Sequence, residues 1–135
     1  MDNKHKHLDY IQAIISRLAD NSFKVKGWTI LFTTAIFTFA ASESVDNRLI
    51  WVGLMPVICF WILDGYFLWQ ERKFRQHYDN VCGVAEDSID FRMNISDHRL
   101  GKSPWIRSIF SASLVVFYTS ILLLMITLGV CFLIF

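Results

Sequence analysis

Residues 109–135 form an apolar run of 27 residues without one charged side chain. An α-helix needs about 20 such residues to cross the roughly 30 Å hydrocarbon core of a bilayer, so this run spans with tilt or with an end projecting. A helix that is apolar on every side must be surrounded by apolar material. The rest of the chain cannot supply it, because 54% of its 135 residues are hydrophobic, with 12 Phe and 5 Trp, and a small interior has no room for them all. The sequence therefore requires lipid as a second apolar solvent.

Two further runs fit that requirement. Residues 49–69 have the length of one crossing, with Trp51 near one end, Trp69 at the other and Asp64 as the one charge within. Residues 27–41, GWTILFTTAIFTFAA, carry no charge but are short; they reach spanning length as 24–44, with Lys24 and Lys26 snorkelling to the headgroups and Trp28 at the interface. Ahead of them, Leu8, Ile11, Ile15 and Leu18 fall at steps of three, four and three, opposite Asp9, Gln12, Arg17 and Asp20. That is an amphipathic helix, which lies in the headgroup region or packs on the same helix of another subunit.

The expected fold is an all-α membrane protein: three transmembrane helices, an N-terminal amphipathic helix and a cytoplasmic extension of the second span. Residues 1–22 form the amphipathic helix, and 23–69 form a transmembrane hairpin with a tight turn at 42–48. Residues 70–102 form a cytoplasmic helix and loop, and 103–135 form the third span. Phe74, Tyr78, Val81 and Ala85 recur at helical spacing and carry the second helix to about Asp90. Ser103 and Pro104 are a capping hydroxyl followed by a proline suited to the first helical position.

Overall charge decides little: it is +1, which says nothing of nucleic acid or acidic substrates, and duplex DNA is not an expected partner. Its distribution decides more. Five basic residues precede the first span, one (Arg48) lies in the first connection and seven lie between the second and third spans. The positive-inside rule then places the N-terminus and the long connection in the cytoplasm, with the C-terminus periplasmic if the membrane is a bacterial inner membrane. The N-terminal stretch is polar and amphipathic, unlike a secretory signal. Cys59, Cys82 and Cys131 suggest no disulfide framework and read as small buried hydrophobes.

Asp64 is the most informative residue, about five positions or 7.5 Å inside the cytoplasmic end of its span. It either pairs with Lys24 or Lys26 of the neighbouring span, or is protonated or hydrated, or belongs to an ion path. Ser113, Ser120 and Thr127 recur every seven residues along the third span, with Thr119 adjacent, and Thr29, Thr33, Thr34 and Thr38 mark the first. Such hydroxyls serve close helix packing or line a pore, and three spans enclose a pore only in an oligomer. Arg72, Lys73 and Arg75 follow the second span directly, at the level where anionic lipid headgroups attract them. With Arg92, Arg99, Lys102 and Arg107 they form an alternative cytoplasmic site for a nucleotide or single strand, for which Phe74, His77, Tyr78 and Trp105 offer stacking surfaces. His5 and His7, and Glu86, Asp87 and Asp90, lack metal-ligand spacing. No phosphate loop, nucleophile elbow, zinc-protease motif or Cys-x-x-Cys occurs, so neither an enzyme nor a cofactor is expected.

The segments NSFKVKGW (21–28), PVICFWILDGYFLWQERKFRQHY (56–78) and SIDF (88–91) resemble a widespread family of small, mostly uncharacterised bacterial multi-pass membrane proteins. The stretch from Phe60 to Asp64 and the pair Glu71-Arg72 are the most distinctive. In size and layout the chain is similar to membrane effectors of anti-phage defence systems of the Hailong type, in which a nucleotidyltransferase partner controls an oligomeric channel. That resemblance implies a homo-oligomer, a tetramer, closed until infection and then depolarising the inner membrane. It also implies the nucleotidyltransferase, or its nucleotide or oligonucleotide product, as a partner. The alternative expectation is a non-conducting anchor or adaptor that recruits a cytoplasmic partner through residues 70–102.

Overall fold

The computed structural model of the protein describes residues 2–42, 48–85 and 105–134. These residues are almost wholly helical, and no strand occurs among them. The elements are α1 (Asp2–Ala40), α2 (Leu49–Val52), α3 (Leu54–Gly83), α4 (Trp105–Ile109) and α5 (Ala112–Ile134). Two helices are long and apolar enough to cross a membrane: Leu49–Gly83, which joins α2 to α3 through Gly53, and Ala112–Cys131 within α5.

α1 is one helix of 39 residues, about 58 Å long, where the sequence pattern divides an amphipathic helix from a span near residue 22. No proline interrupts it, and one stripe of buried side chains runs through the junction: His7, Ile11, Ile15, Val25, Thr29, Thr33, Ile36 and Ala40. Half-buried Leu18 and Ser22 bridge Ile15 to Val25, so each step along the row is three or four and a single face stays turned inward. Asp20 and Lys24 form an i,i+4 ion pair at 2.6 Å across the expected boundary, in the favourable acid-before-base order. That inward face is covered by α3 of the same chain, which pairs with α1 along much of its length. The amphipathic segment thus gains a partner the sequence reading did not consider, since its own chain provides the apolar surface.

α3 ends at Gly83, short of the expected Asp90, and Val84 is extended with φ −91° and ψ 143°. Glycine is a poor helix former, and Lys4 of α1 donates from Nζ to the carbonyls of Cys82 (3.0 Å) and Val84 (2.8 Å). A cation on the last carbonyls satisfies acceptors that the helix itself leaves open. Pro56 lies in the first turn of α3, where a missing N–H costs nothing. Gly53 sits where α2 meets α3 against α1 and α5: a Cβ there would come 2.4 Å from Ile36 Cδ1 and 3.0 Å from Met125 Cε.

The third apolar run is likewise not one helix, because it breaks at Phe110 and Ser111 between α4 and α5. One face of α3 holds that break. Trp61 Nε1 donates to the Ile109 carbonyl (3.0 Å), and Gly65 gives the space for Ile109, whose Cα would lie 3.1 Å from an added Cβ. Arg72 reaches the hydroxyls of Ser108 (3.4 Å) and Ser111 (3.2 Å). The core is made by Ile36, Ala40, Ile50, Val57, Leu114, Tyr118 and Met125 from α1, α2, α3 and α5. The three cysteines are exposed, contrary to the buried role expected of them. Being apolar brought Cys59 and Cys131 into apolar helices, but onto faces that the subunit itself does not cover. Ser103-Pro104, the turn at 43–47 and the loop from 86 lie outside the described residues.

Candidate functional site

Asp64 is fully buried, and its carboxylate collects donors from two other helices. From α1, Lys26 Nζ forms an ion pair with Oδ2 at 2.6 Å, and the Ser22 hydroxyl, one turn earlier, donates to Oδ1. Lys26 also donates to Ser22 Oγ at 2.8 Å, which closes a small ring of contacts. From α5, Tyr118 OH donates to Oδ2 at 3.1 Å. The Phe60 carbonyl lies 3.4 Å from the same phenol, but the single phenolic proton goes to the stronger, charged acceptor. Trp61 stacks on Tyr118 with centroids 5.7 Å apart and planes 6° from parallel, which fixes the ring. A carboxylate that accepts three donors is compensated where an isolated charge would be costly.

This arrangement ties α1, α3 and α5 to one point. Its chemistry is that of a clamp, since each oxygen is engaged and no side-chain surface of Asp64 is open to a diffusing species. Of the two lysines considered for it, Lys26 is the partner, and Lys24 turns to Asp20. Ser22 and Tyr118 were not singled out from sequence. The signal for Tyr118 was its position as the one phenol in the third apolar run; the signal for Ser22 was its place four residues before Lys26 on the same helical face.

The hydroxyls of the apolar helices are satisfied differently. Thr29, Thr33, Thr34 and Thr38 donate to the carbonyls four residues earlier, at 2.7 to 2.9 Å. Ser120 does so to Val116 (2.6 Å) and Thr127 to Leu123 (2.8 Å). Thr29 and Thr33 are buried, whereas Thr34, Thr38, Ser113, Ser120 and Thr127 are exposed. The α1 and α5 backbones stay apart, although Thr29 of α1 meets Tyr118 of α5 side chain to side chain. Between them runs an open groove of about 790 Å³, lined on one side by Lys26 and Ile30 and on the other by Ala112, Ser113, Val116, Phe117, Ser120 and Ile121. The four-residue row that begins Lys26, Ile30 continues in Thr34 and Thr38. The two hydroxyl stripes thus border the same side of the subunit.

Among the described residues, the basic side chains after the second span go to separate partners within the chain. Arg72 holds the serines at the α4–α5 junction, Lys73 lies 3.5 Å above the Trp69 ring, and Arg75 pairs with Glu71 at 2.7 Å. Arg107 is exposed on α4. Arg92, Arg99 and Lys102 lie outside the described residues, as does all of the 70–102 segment beyond residue 85. His77, considered as a stacking surface, is instead buried and meets the buried His7 edge to face, centroids 5.8 Å apart. Among the described residues no group of three or more His, Cys, Asp or Glu could hold a metal ion. Comparison with known protein families, with curated proteins and with solved structures gives no match.

Proposed function

We propose that this chain is an integral membrane protein that crosses the bilayer three times and assembles into a homo-oligomer with an ion-conducting path between subunits. The membrane part rests on exposure: in the most apolar windows of Leu49–Gly83 and Ala112–Cys131 only 28% and 22% of residues are buried inside the subunit. A core helix of a water-soluble protein would be mostly covered by its own chain. The first span, α1 from about Lys24, is less apolar because it carries four threonines and two lysines. Each of those hydroxyls is bonded to its own helix, and Lys26 is neutralised by Asp64, so the effective polarity is low. The positive-inside argument orients the N-terminus and the 70–102 segment to the cytoplasm of a bacterial cell, and the C-terminus to the periplasm.

The observation that carries the conducting role is the set of exposed hydroxyls: Ser113 and Ser120 of α5 in the groove with Lys26 and Ile30, Thr127 farther along α5, and Thr34 and Thr38 on the α1 row that Lys26 and Ile30 begin. Hydroxyls facing outward from a membrane subunit are placed to meet water or a neighbouring helix. In an oligomer with that face toward the axis they line a path, with Asp64 kept out of it as part of the clamp. The resemblance to defence effectors adds a trigger of nucleotide type and depolarisation of the inner membrane as the outcome. Purified protein in liposomes tests the reading by flux of monovalent cations and a potential-sensitive dye. Wild type is expected to conduct once a nucleotide extract from infected cells is added, and Ser120→Leu to lower the flux at least fivefold without changing oligomer size. No flux from wild type with the extract, or wild-type flux from the variant, would overturn the proposal.

A further inference from the structure

On the outer face of α3 lies an apolar cleft of about 420 Å³, lined by Cys59, Ile62, Leu63, Tyr66 and Trp69, with Trp105 of α4 as its other wall. The α3 positions are three and four residues apart and share one helical face, which Lys73 continues one turn beyond Trp69. Lys73 Nζ stands 3.5 Å from the centroid of the Trp69 ring. Among the described residues Lys73 has no carboxylate partner, unlike Arg75 on Glu71, and no hydroxyl partner, unlike Arg72 on Ser108 and Ser111. Among the described residues its charge is therefore held by a ring face alone.

Along α3 the chemistry changes in order: aliphatic and thiol groups at Cys59, Ile62 and Leu63, then a phenol and two indoles at Tyr66, Trp69 and Trp105, then an ammonium at Lys73. The distance from Cys59 to Lys73 is about 21 Å at 1.5 Å per helical residue. A phospholipid has the same sequence of parts over a comparable length: acyl chain, ester and glycerol region, phosphate. Aromatic side chains favour the ester level of a bilayer, and lysines just beyond it attract anionic headgroups.

We propose that this cleft binds one anionic phospholipid, with an acyl chain against Ile62 and Leu63, its ester region between Trp69 and Trp105, and its phosphate at Lys73. The site requires α3 to lie in a membrane and is independent of whether the oligomer conducts. Full-length protein in detergent, stripped of lipid and incubated with equal amounts of phosphatidylglycerol and phosphatidylcholine, is repurified and its retained lipid measured by mass spectrometry. Phosphatidylglycerol is expected at no less than fivefold excess. Lys73→Gln, a polar change at a half-buried position, and Leu63→Trp, a space-filling change at an exposed one, should each reduce its retention at least fivefold, and Arg75→Gln should not. Bromine-labelled phosphatidylglycerol gives a second readout: it should quench tryptophan fluorescence in wild type, with a clearly smaller quenched fraction in Trp105→Phe.

Equal retention of the two lipids, or wild-type retention by both Lys73→Gln and Leu63→Trp, overturns the proposal. So does occupancy by a second copy of the chain, which Cys59 can report. In a Cys82→Ser, Cys131→Ser background, mild copper-phenanthroline oxidation in membranes should leave Cys59 mostly monomeric if lipid fills the cleft. A disulfide-linked dimer in high yield would mean that a neighbouring subunit sits there instead.

Discussion

Asp64 and Ser120 lie close in depth, since Ser120 is two residues past the Tyr118 that contacts Asp64, about 3 Å along α5. Their polar groups are satisfied in opposite ways. Asp64 is buried and takes its donors from α1 and α5, so its needs are met only when three helices are in place. Ser120 is exposed and donates to Val116 of its own helix, so its needs are met by α5 alone. A polar group satisfied across helices binds them together. One satisfied within its own helix imposes nothing on the fold and leaves its helical face free to meet water or another subunit.

The largest expected effect comes from breaking the cross-helix set. Lys26→Met leaves a buried carboxylate without its cation, a change that typically costs about 3–5 kcal/mol. Thermal unfolding in detergent should show a large loss of stability. The double variant Lys26→Met, Asp64→Leu should recover most of it, because an ion pair replaced by apolar groups of similar volume is often neutral. A single variant as stable as wild type would mean that the pair does not hold the helices, and the contrast with Ser120 would fail.

Tyr118→Phe removes one donor while the ion pair stays. A hydrogen bond to a charged group contributes about 1.5–3 kcal/mol, and the stacking of ring 118 on Trp61 is retained. The same melting experiment should place this variant between wild type and Lys26→Met. If it matched wild type, the carboxylate would be satisfied by α1 alone, and α5 would be held by its apolar packing and by the contacts of Arg72 and Trp61.

How far these features could be read in advance follows from their range along the chain. Helicity and the apolar runs are local patterns, and they pointed to α1, α3 and α5. The partner of Asp64 was narrowed to two lysines because apolar runs joined by a short connection are expected to be antiparallel neighbours, which brings Lys24 and Lys26 to the level of Asp64. Tyr118 was not reached, because nothing local reveals which face of α5 turns toward α3. The join of the amphipathic segment to the first span was missed for a related reason. A change from polar to apolar background looks like a boundary, whereas the backbone follows the inward stripe from His7 to Ala40, which crosses that change unbroken. The break at Phe110 and Ser111 depends on Trp61, Gly65 and Arg72, all more than thirty residues away, so an apolar run alone could not place it.

The smallest expected change in stability is the most informative about the other half of the comparison. Thr34→Val with Thr38→Val keeps side-chain shape and removes two hydroxyls bonded only to their own helix. Both positions are exposed, and substitutions away from buried features usually fall within about 0.5 kcal/mol, so melting should hardly move. Oligomer size should also be unchanged, because the two side chains keep their volume. Conductance is where an effect is expected. If these hydroxyls border an aqueous path, replacing them by methyl groups removes the contacts that replace part of an ion's hydration and makes the wall easier to dewet, so single-channel current should fall by half or more. Unchanged current together with unchanged stability would leave the α1 stripe without a role in either the chain's stability or the proposed path, and α5 alone would then have to carry the proposal.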